Sequence, residues 1–214
     1  AEVRARLKKV ETEIEELGLL KMDFLGLRTL TVIRDAETAI QKKEPDFSVA
    51  ALDYDDPETY KMLGQGETEG VFQLESSGMK QVLVGLQPQN LEDVIALISL
   101  YRPGPMDSIP TYLRNRHEPE KISYKTPQLA HILDVTNGCI VYQEQVMQIF
   151  RELAGFSFGQ ADNVRLDMSK KKHAVMEAER EHFVHGCTDP GNECPGCVAN
   201  GISEKVANEI YDEM

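Results

Sequence analysis

The chain has 214 residues and a mass of 24.1 kDa, and 41% of its residues are hydrophobic and 28% charged. This composition excludes disorder along the whole length, and the chain is long enough to bury one sizeable core or two modest ones. The net charge of -13, from 23 basic and 36 acidic residues, argues against a generic nucleic-acid coat protein, which would need a basic surplus.

Membrane segments and disulfides are not expected. The most apolar stretch, residues 91–101, is broken by Glu92 and Asp93 and falls short of the roughly 18 to 20 residues that a bilayer span needs. Residues 1–9 lack the apolar run of a secretory signal, which predicts a cytoplasmic protein. We therefore expect the four cysteines to be reduced thiols.

The first fifty residues alternate helical and extended patterns. Apolar residues at steps of four and three over residues 2–17 predict an amphipathic helix with a narrow apolar seam. After the break at Gly18, residues 19–25 are short and apolar enough for a buried strand, which Gly26 would end. Residues 28–43 then predict a second amphipathic helix.

Later helices are predicted from their capping residues. Asp56 before Pro57 predicts a helix from there to residue 63, and Asn90 followed by Asp93 predicts the start of a helix over residues 91–101. Thr126 predicts the start of a helix at 129–133, and Asn137-Gly138 predicts a turn before a β-prone segment at 139–142. Gly155 is predicted to end a helix. Three helical stretches are predicted after Gln160, and Ser203 is predicted to cap the last of them. The chain is thus predicted to be mostly α-helical with a few short strands.

One carboxylate in the predicted strand needs an explanation. A side-chain period of two places Lys21 and Asp23 on one face of the strand and Met22 on the other. A carboxylate on a buried strand is costly unless it binds a metal or a cation. Two interpretations stay open, an ion pair between Lys21 and Asp23, which the spacing alone favours, and a functional carboxylate.

A second candidate site is a cationic stretch near residue 170. Arg165, Ser169 and Lys172 are spaced at i, i+4 and i+7, so a helix would place two cations and a hydroxyl on one face, with Lys170 and Lys171 beside them. Arginine offers a planar fork for phosphate and lysine a mobile point charge, so this face suits a polyphosphate. The alternative is a solvated basic face.

A third candidate is a cysteine cluster near the end of the chain. His185, Cys187, Cys194 and Cys197 are ligand types for a tetrahedral zinc ion, and the two-residue gap between Cys194 and Cys197 suits one ion. The alternative is a cysteine-bearing surface loop. Cys139, by contrast, is predicted to be a core residue of its strand.

Five segments together resemble one protein family. They are KMDFLGLRTL at 21–30, GVFQLES with GM after it at 70–79, ALISLYRPGPM at 96–106, YQEQVMQI at 142–149 and MSKKK at 168–172. In order and spacing they resemble the C-family replicative DNA polymerases, the family of the bacterial DNA polymerase III alpha subunit. The resemblance begins near residue 18 and runs to residue 214.

This resemblance implies a division into three parts and a catalytic role. It implies that residues 1–17 are an unplaced amphipathic helix, residues 18–28 the end of the palm with its last strand, and residues 29–214 a helical fingers domain. Asp23 would be the third palm carboxylate that holds two Mg²⁺ ions, with Lys21 placed to meet phosphate. The family's other two carboxylates lie earlier in its sequence, so we expect this chain to be inactive by itself.

The resemblance also implies partners and nucleotide contacts. Template-primer DNA, deoxynucleoside triphosphates, other segments of the polymerase and further replisome subunits would be the partners. Arg165 and Lys170 to Lys172 match the family's nucleotide-facing region, and Arg102 would be a further phosphate contact.

At one place the sequence departs from the family pattern. Where the family has a pair of arginines followed by alanine, this chain has Arg165, Leu166 and Asp167, which lowers the local charge by two units. Two alternatives to a polymerase fragment therefore stay open. One is a non-catalytic helical scaffold or DNA-docking module, and the other is a zinc-knuckle interaction protein.

Overall fold

The computed structural model describes residues 6, 9–10, 13–14, 17–19, 22, 24–169 and 173–214. Contacts divide the chain into two units, Ala1–Asp53 and Tyr54–Met214. Over the described residues helices dominate, and the only strand-type pairing is an isolated antiparallel bridge between Cys187 and Cys194. The predicted fold class, mostly α-helical, is confirmed. Among the described residues, no helix is long and apolar enough to cross a bilayer.

In the first unit, one helix is hydrogen-bonded to the segment that follows it in the chain. Helix α1 spans Arg28–Gln41, close to the predicted bounds. Near its end the Gln41 side chain donates to the Phe47 carbonyl at 2.9 Å, and Glu37 accepts from the amide of Val49 at 2.9 Å, where the 3₁₀ helix Val49–Ala51 begins. No residue of α1 is buried, so its predicted apolar face stays exposed in this unit.

The predicted strand at residues 19–25 is not formed by the residues that the structure describes there. Leu19, Met22, Phe24 and Leu25 have no strand assignment, and Phe24 and Leu25 are 91% and 99% exposed. A strand needs a neighbour to accept its ladder hydrogen bonds, and the described residues of this unit contain none. Lys21, Asp23 and Leu20 lie outside the described residues. In the first predicted helix, residues 6, 9–10 and 13–14 are helical.

Four helices form the first half of the second unit. They are α2 at Pro57–Gly64, α3 at Ser77–Leu86, α4 at Leu91–Leu100 and α5 at Ile109–His117, with a 3₁₀ turn at Pro105–Ser108. Two predicted caps are confirmed, since the Asp56 carboxylate accepts from the amides of Glu58 and Thr59, and Asn90 accepts from the amide of Asp93 at 2.8 Å. The core of this half is aliphatic, with Leu83, Leu97 and Leu100 at its centre.

An aromatic core holds the second half of this unit. Its helices are α6 at Ala130–Leu133, α7 at Gln143–Ala154, α8 at Phe158–Ser169, α9 at His173–His185, α10 at Gly196–Ala199 and α11 at Glu204–Glu213. The ring of Phe150 packs 4.8 Å from that of Phe183 and 5.1 Å from that of Phe156. Gly155 ends α7 with φ +76°, and Ser203 caps α11 as predicted. The one-turn helix α10 was not predicted.

The β-prone segment at residues 139–142 is extended but is not a strand. The buried Gln145 side chain takes the place of a partner strand, because its Oε1 accepts from the amides of Val141 and Tyr142 at 2.9 Å each. Its Nε2 donates to the carbonyl of Ile132 at 3.0 Å and to the hydroxyl of Thr136 at 2.8 Å. All four hydrogen-bonding positions of this amide are used, which ties the segment to helices α6 and α7.

A buried ion pair joins α4 to α5. The carboxylate of Asp93 is 4% exposed and accepts two hydrogen bonds from Arg116, Nε to Oδ1 at 2.9 Å and Nη2 to Oδ2 at 3.0 Å. It also accepts from the amide of Gln89 at 2.9 Å. Burial, and then the charge of Asp93, raises the pKa of the neighbouring Tyr112 to about 12. This bidentate contact joins the buried carboxylate of α4 to a partly buried guanidinium of α5.

Candidate nucleotide-binding groove

Helices α7 and α8 enclose a groove of about 530 Å³. The residues that line it include two arginines and three carboxylates: Gln143, Glu144, Met147, Gln148, Arg151, Glu152, Phe158, Asp162 and Arg165. The start of α8 is fixed by a reciprocal cap. The side chain of Gln160 accepts from the amide of Ser157 at 2.7 Å, and the Ser157 hydroxyl accepts from the amide of Gln160 at 3.3 Å. The groove is therefore bounded by two well-anchored helices.

Arg165, predicted from sequence as a nucleotide contact, lies in this groove. Its Nε donates to Oδ1 of Asp162 at 2.8 Å, and its Nη2 lies 2.8 Å from the same oxygen. Its Nη1 donates to Oε1 of Gln143, on the facing helix, at 3.3 Å. The guanidinium is thus held across the groove between α7 and α8, with one short carboxylate contact and one long amide contact.

A second arginine in the groove was missed by sequence reasoning. Arg151 lies on α7, and its guanidinium carbon is 5.8 Å from the centroid of the Phe158 ring. The ring of Phe158 is 65% exposed, so it offers a flat apolar surface beside two cations. The missed signal was the spacing of Gln143, Met147 and Arg151, which repeat every four residues and so share one face of a helix.

The residues that depart from the family pattern face another direction. Leu166 and Asp167 line a separate polar groove together with Asn163 and Glu179. Neither residue lines the groove that holds Arg165. Since consecutive residues on a helix point about 100° apart, adjacency in sequence does not bring the Asp167 carboxylate into the Arg165 groove.

Of the remaining predicted phosphate contacts, Lys21 lies outside the described residues and Arg102 does not line this groove. Ser169 ends α8, and Lys170, Lys171 and Lys172 lie outside the described residues. Arg102 is exposed in the loop after α4, and no described residue gives its side chain a hydrogen bond or an ion pair.

The loop of Arg102 is positioned by a close contact between two of the family-like segments. A Cβ atom at Gly78, on α3, would lie 2.0 Å from the hydroxyl of Tyr101. Only glycine leaves room for this ring, so the segment at 70–79 supports the segment at 96–106 directly.

The zinc candidates are all described, and the three cysteines among them form part of the core. Cys187 and Cys194 exchange two backbone hydrogen bonds of 2.9 Å, and all four cysteines of the chain are buried free thiols, Cys139 as predicted. Burial raises the pKa of Cys194 and raises that of Cys197 to about 12, which favours the protonated thiol. His185 is exposed instead, with Nε2 3.8 Å from Glu204 Oε1.

The described part of the chain contains no group of three His, Cys, Asp or Glu residues arranged to hold a metal ion. This geometry gives the zinc interpretation no support. The cysteines of the loop between α9 and α10 act there as small apolar groups.

Comparison with known proteins agrees with the motifs. The family model of the bacterial DNA polymerase III alpha subunit finger domain matches residues 29–191. The chain is 45% identical over 202 residues to the DNA polymerase III subunit alpha of Staphylococcus epidermidis, and 46% identical over 202 residues to that of Staphylococcus aureus strain COL. Each alignment covers 94% of this chain and 18% of the relative, so the chain spans less than a fifth of the length of these relatives. The chain belongs to the bacterial DNA polymerase III alpha subunit family, which it matches through the finger domain.

Proposed function

We propose that this chain is the fingers portion of a replicative DNA polymerase and that the α7–α8 groove contacts the triphosphate of the incoming deoxynucleotide. The observation that carries this proposal is the pair of guanidinium groups, Arg151 and Arg165, in one groove with the exposed ring of Phe158. Arginine is suited to phosphate because its planar fork can donate two parallel hydrogen bonds to a pair of oxygens.

The present partners of Arg165 are compatible with this role. Asp162 is three residues earlier on the same helix and is 39% exposed, so the ion pair is worth less than about 1 kcal/mol and can be exchanged for a phosphate contact. As a partner for Arg165, a triphosphate carries several negative charges against the single charge of Asp162, and Glu144 and Glu152 are the other carboxylates of the groove. Until it arrives, Asp162 and Gln143 keep the guanidinium directed along the groove.

The complete polymerase would join a primer 3′-hydroxyl to the α-phosphorus of the nucleotide, with pyrophosphate as the leaving group. Mg²⁺ would supply activation of the hydroxyl and stabilisation of the leaving group. Asp23 would be one of the carboxylates that hold the metal, and Lys21 a phosphate contact beside it. The described residues hold no set of metal ligands, so the remaining carboxylates would come from other segments of the longer polypeptide. By itself the 214-residue chain would be inactive.

Template-primer DNA and further replisome subunits would be the partners of the complete protein. The exposed apolar residues of the first unit, such as Phe24 and Leu25, would be covered by other segments of the polymerase. Lys170 to Lys172, which follow Arg165 closely in the sequence, and Arg102, from the loop after α4, would add phosphate contacts.

Steady-state kinetics of the full-length polymerase would test the groove. Arg165→Gln is expected to raise the KM for deoxynucleotide about tenfold or more, because a charge-assisted hydrogen bond to phosphate is lost. Asp167→Asn on the same helix is the matched control, since its side chain lines the other groove, and it should change KM by less than about twofold. Equal effects of the two variants, or no effect of Arg165→Gln, would contradict the assignment.

A further inference from the structure

A second cavity, of about 370 Å³, lies where the two halves of the second unit meet. One wall is helix α5, which belongs to the aliphatic core, and another is formed by Leu129 and Leu133 of the aromatic core. Three bases line it, Arg114, Lys121 and Lys125. The cavity shares no residue with the α7–α8 groove.

The charge of this cavity is opposite to that of the chain. The lining carries three basic side chains and a single carboxylate, Glu213, whereas the whole chain has a net charge of -13. A concave site lined mainly by one sign of charge concentrates ions of the opposite sign. The cavity therefore attracts an anion even though the protein as a whole repels one.

The partners of the three bases are weak. Arg114 donates only to the amide oxygen of Asn115, at 3.4 Å, and among the described residues no carboxylate lies within 4.0 Å of it. Lys121 pairs with Glu118 at 2.7 Å, and Lys125 lies 3.2 Å from Glu213 and 3.6 Å from Glu209. Ion pairs between such exposed groups contribute less than about 1 kcal/mol each, so an arriving anion can replace them.

Further polar residues line the cavity. The buried Asn115 donates to the carbonyl of Asn137 at 2.7 Å, and its side-chain oxygen accepts from Arg114 and so positions that guanidinium. Thr111 and Ser123, whose side chains carry hydroxyl groups, are in the same lining. Two or three cations beside hydroxyl donors match a tetrahedral anion with several acceptor oxygens better than they match a planar carboxylate.

We propose that this cavity binds a phosphate group, with Arg114 as its principal contact, Lys121 and Lys125 as supporting contacts, and Glu213 as a carboxylate that competes for Lys125. The same chemistry is presented by a free phosphate or pyrophosphate ion and by the backbone of a nucleic-acid strand. The proposal stands on residues separate from the nucleotide groove, so it does not depend on the function proposed above.

Titration calorimetry of the 214-residue chain at low ionic strength, with inorganic pyrophosphate as the ligand, tests this proposal. Arg114→Gln is expected to weaken binding about fivefold or more, since it removes a charge-assisted contact. Glu213→Gln is expected to strengthen binding, because it removes the negative charge from the lining and leaves Lys125 with Glu209 as its only carboxylate partner among the described residues. Arg114 is exposed, so its replacement leaves the fold intact, which circular dichroism verifies.

Matched controls distinguish binding at this cavity from a general effect of the protein's net charge on affinity. Lys205→Gln makes the same charge change as Arg114→Gln at a side chain that is 86% exposed and outside the cavity. Glu58→Gln likewise matches Glu213→Gln from helix α2. The proposal requires that each cavity variant change affinity by several times more than its control. Equal changes within either pair, or no pyrophosphate binding by the unmodified chain, would overturn it.

A competition experiment identifies the source of the phosphate. A fluorescent single-stranded oligothymidylate of about ten nucleotides is added to the chain, and its anisotropy is followed as salt is raised. One outcome is that Arg114→Gln weakens binding of the oligonucleotide and reduces the slope of log K against log salt concentration by about one. In that case the site binds a nucleic-acid backbone. If the variant affects pyrophosphate alone, the site serves a free anion. Either result supports the cavity as a phosphate site.

Discussion

Asp23→Asn in the full-length polymerase is expected to reduce primer extension by about a thousandfold or more if Asp23 is the metal-binding carboxylate that we propose, because its loss would remove several kcal/mol of transition-state stabilisation. Asparagine keeps the size of the side chain and removes the charge that a hard cation such as Mg²⁺ prefers. Single-turnover extension of a labelled primer by one nucleotide measures the chemical step without product release.

The control is Asp35→Asn, which makes the same chemical change on an exposed face of α1. Its expected rate is that of the unmodified enzyme. If Asp23→Asn also extends primers at the unmodified rate, the chain has no catalytic carboxylate at that position, and the non-catalytic scaffold becomes the better interpretation.

Asp93→Ala is expected to lower the free energy of unfolding of the second unit by about 2 to 3 kcal/mol, because the charge-assisted hydrogen bonds between Arg116 and the buried carboxylate are lost while Arg116 stays partly exposed. The amide of Gln89 loses its acceptor in the same variant. Asp93→Asn should cost less than Asp93→Ala, since the amide oxygen still accepts one hydrogen bond. Urea unfolding followed by circular dichroism measures each change.

An exposed ion pair offers the comparison for this effect. Asp35 pairs with Arg34 at 3.0 Å, but the two side chains are 64% and 70% exposed. Asp35→Ala should therefore cost less than about 1 kcal/mol. A loss for Asp93→Ala as small as that for Asp35→Ala would show that burial of the Asp93–Arg116 pair does not fix the packing of α4 on α5.

Local chemistry explains which elements were predictable. The caps at Asp56, Asn90 and Ser203 and the stop at Gly155 depend on contacts within three or four residues, so the sequence alone indicates them. The turn at Asn137, with φ +52°, belongs to the same class. Each of these predictions is confirmed. Their geometry depends on nearby residues alone, so it does not require knowledge of which distant segments pack against them.

Extended segments were predicted less well because they depend on partners elsewhere. Residues 139–142 have the composition of a strand, yet the amide of Gln145 satisfies their backbone in place of a second strand. At residues 19–25 the described side chains are exposed, and the described residues of this unit provide no neighbouring strand. Propensity indicates an extended backbone in both places but not what it pairs with.

The candidate groove was predictable only in part. The sequence indicated Arg165, but the groove is made by the packing of α7 on α8, which brings Gln143 to within 3.3 Å of it from 22 residues away. In the sequence, Asp167 is two residues from Arg165 and is counted with it in the local charge. In the structure, Asp167 lines a separate groove. Direction on a helix, rather than distance in sequence, decides which charges act on a ligand.

The most direct measurement is a structure of the full-length polymerase with template-primer DNA and an incoming nucleotide bound. We expect a guanidinium nitrogen of Arg165 to lie within about 3.2 Å of a triphosphate oxygen, with the phosphate in place of Asp162. A triphosphate bound entirely by other residues, while Arg165 still contacts Asp162 and Gln143 as it does here, would contradict the assignment of the α7–α8 groove.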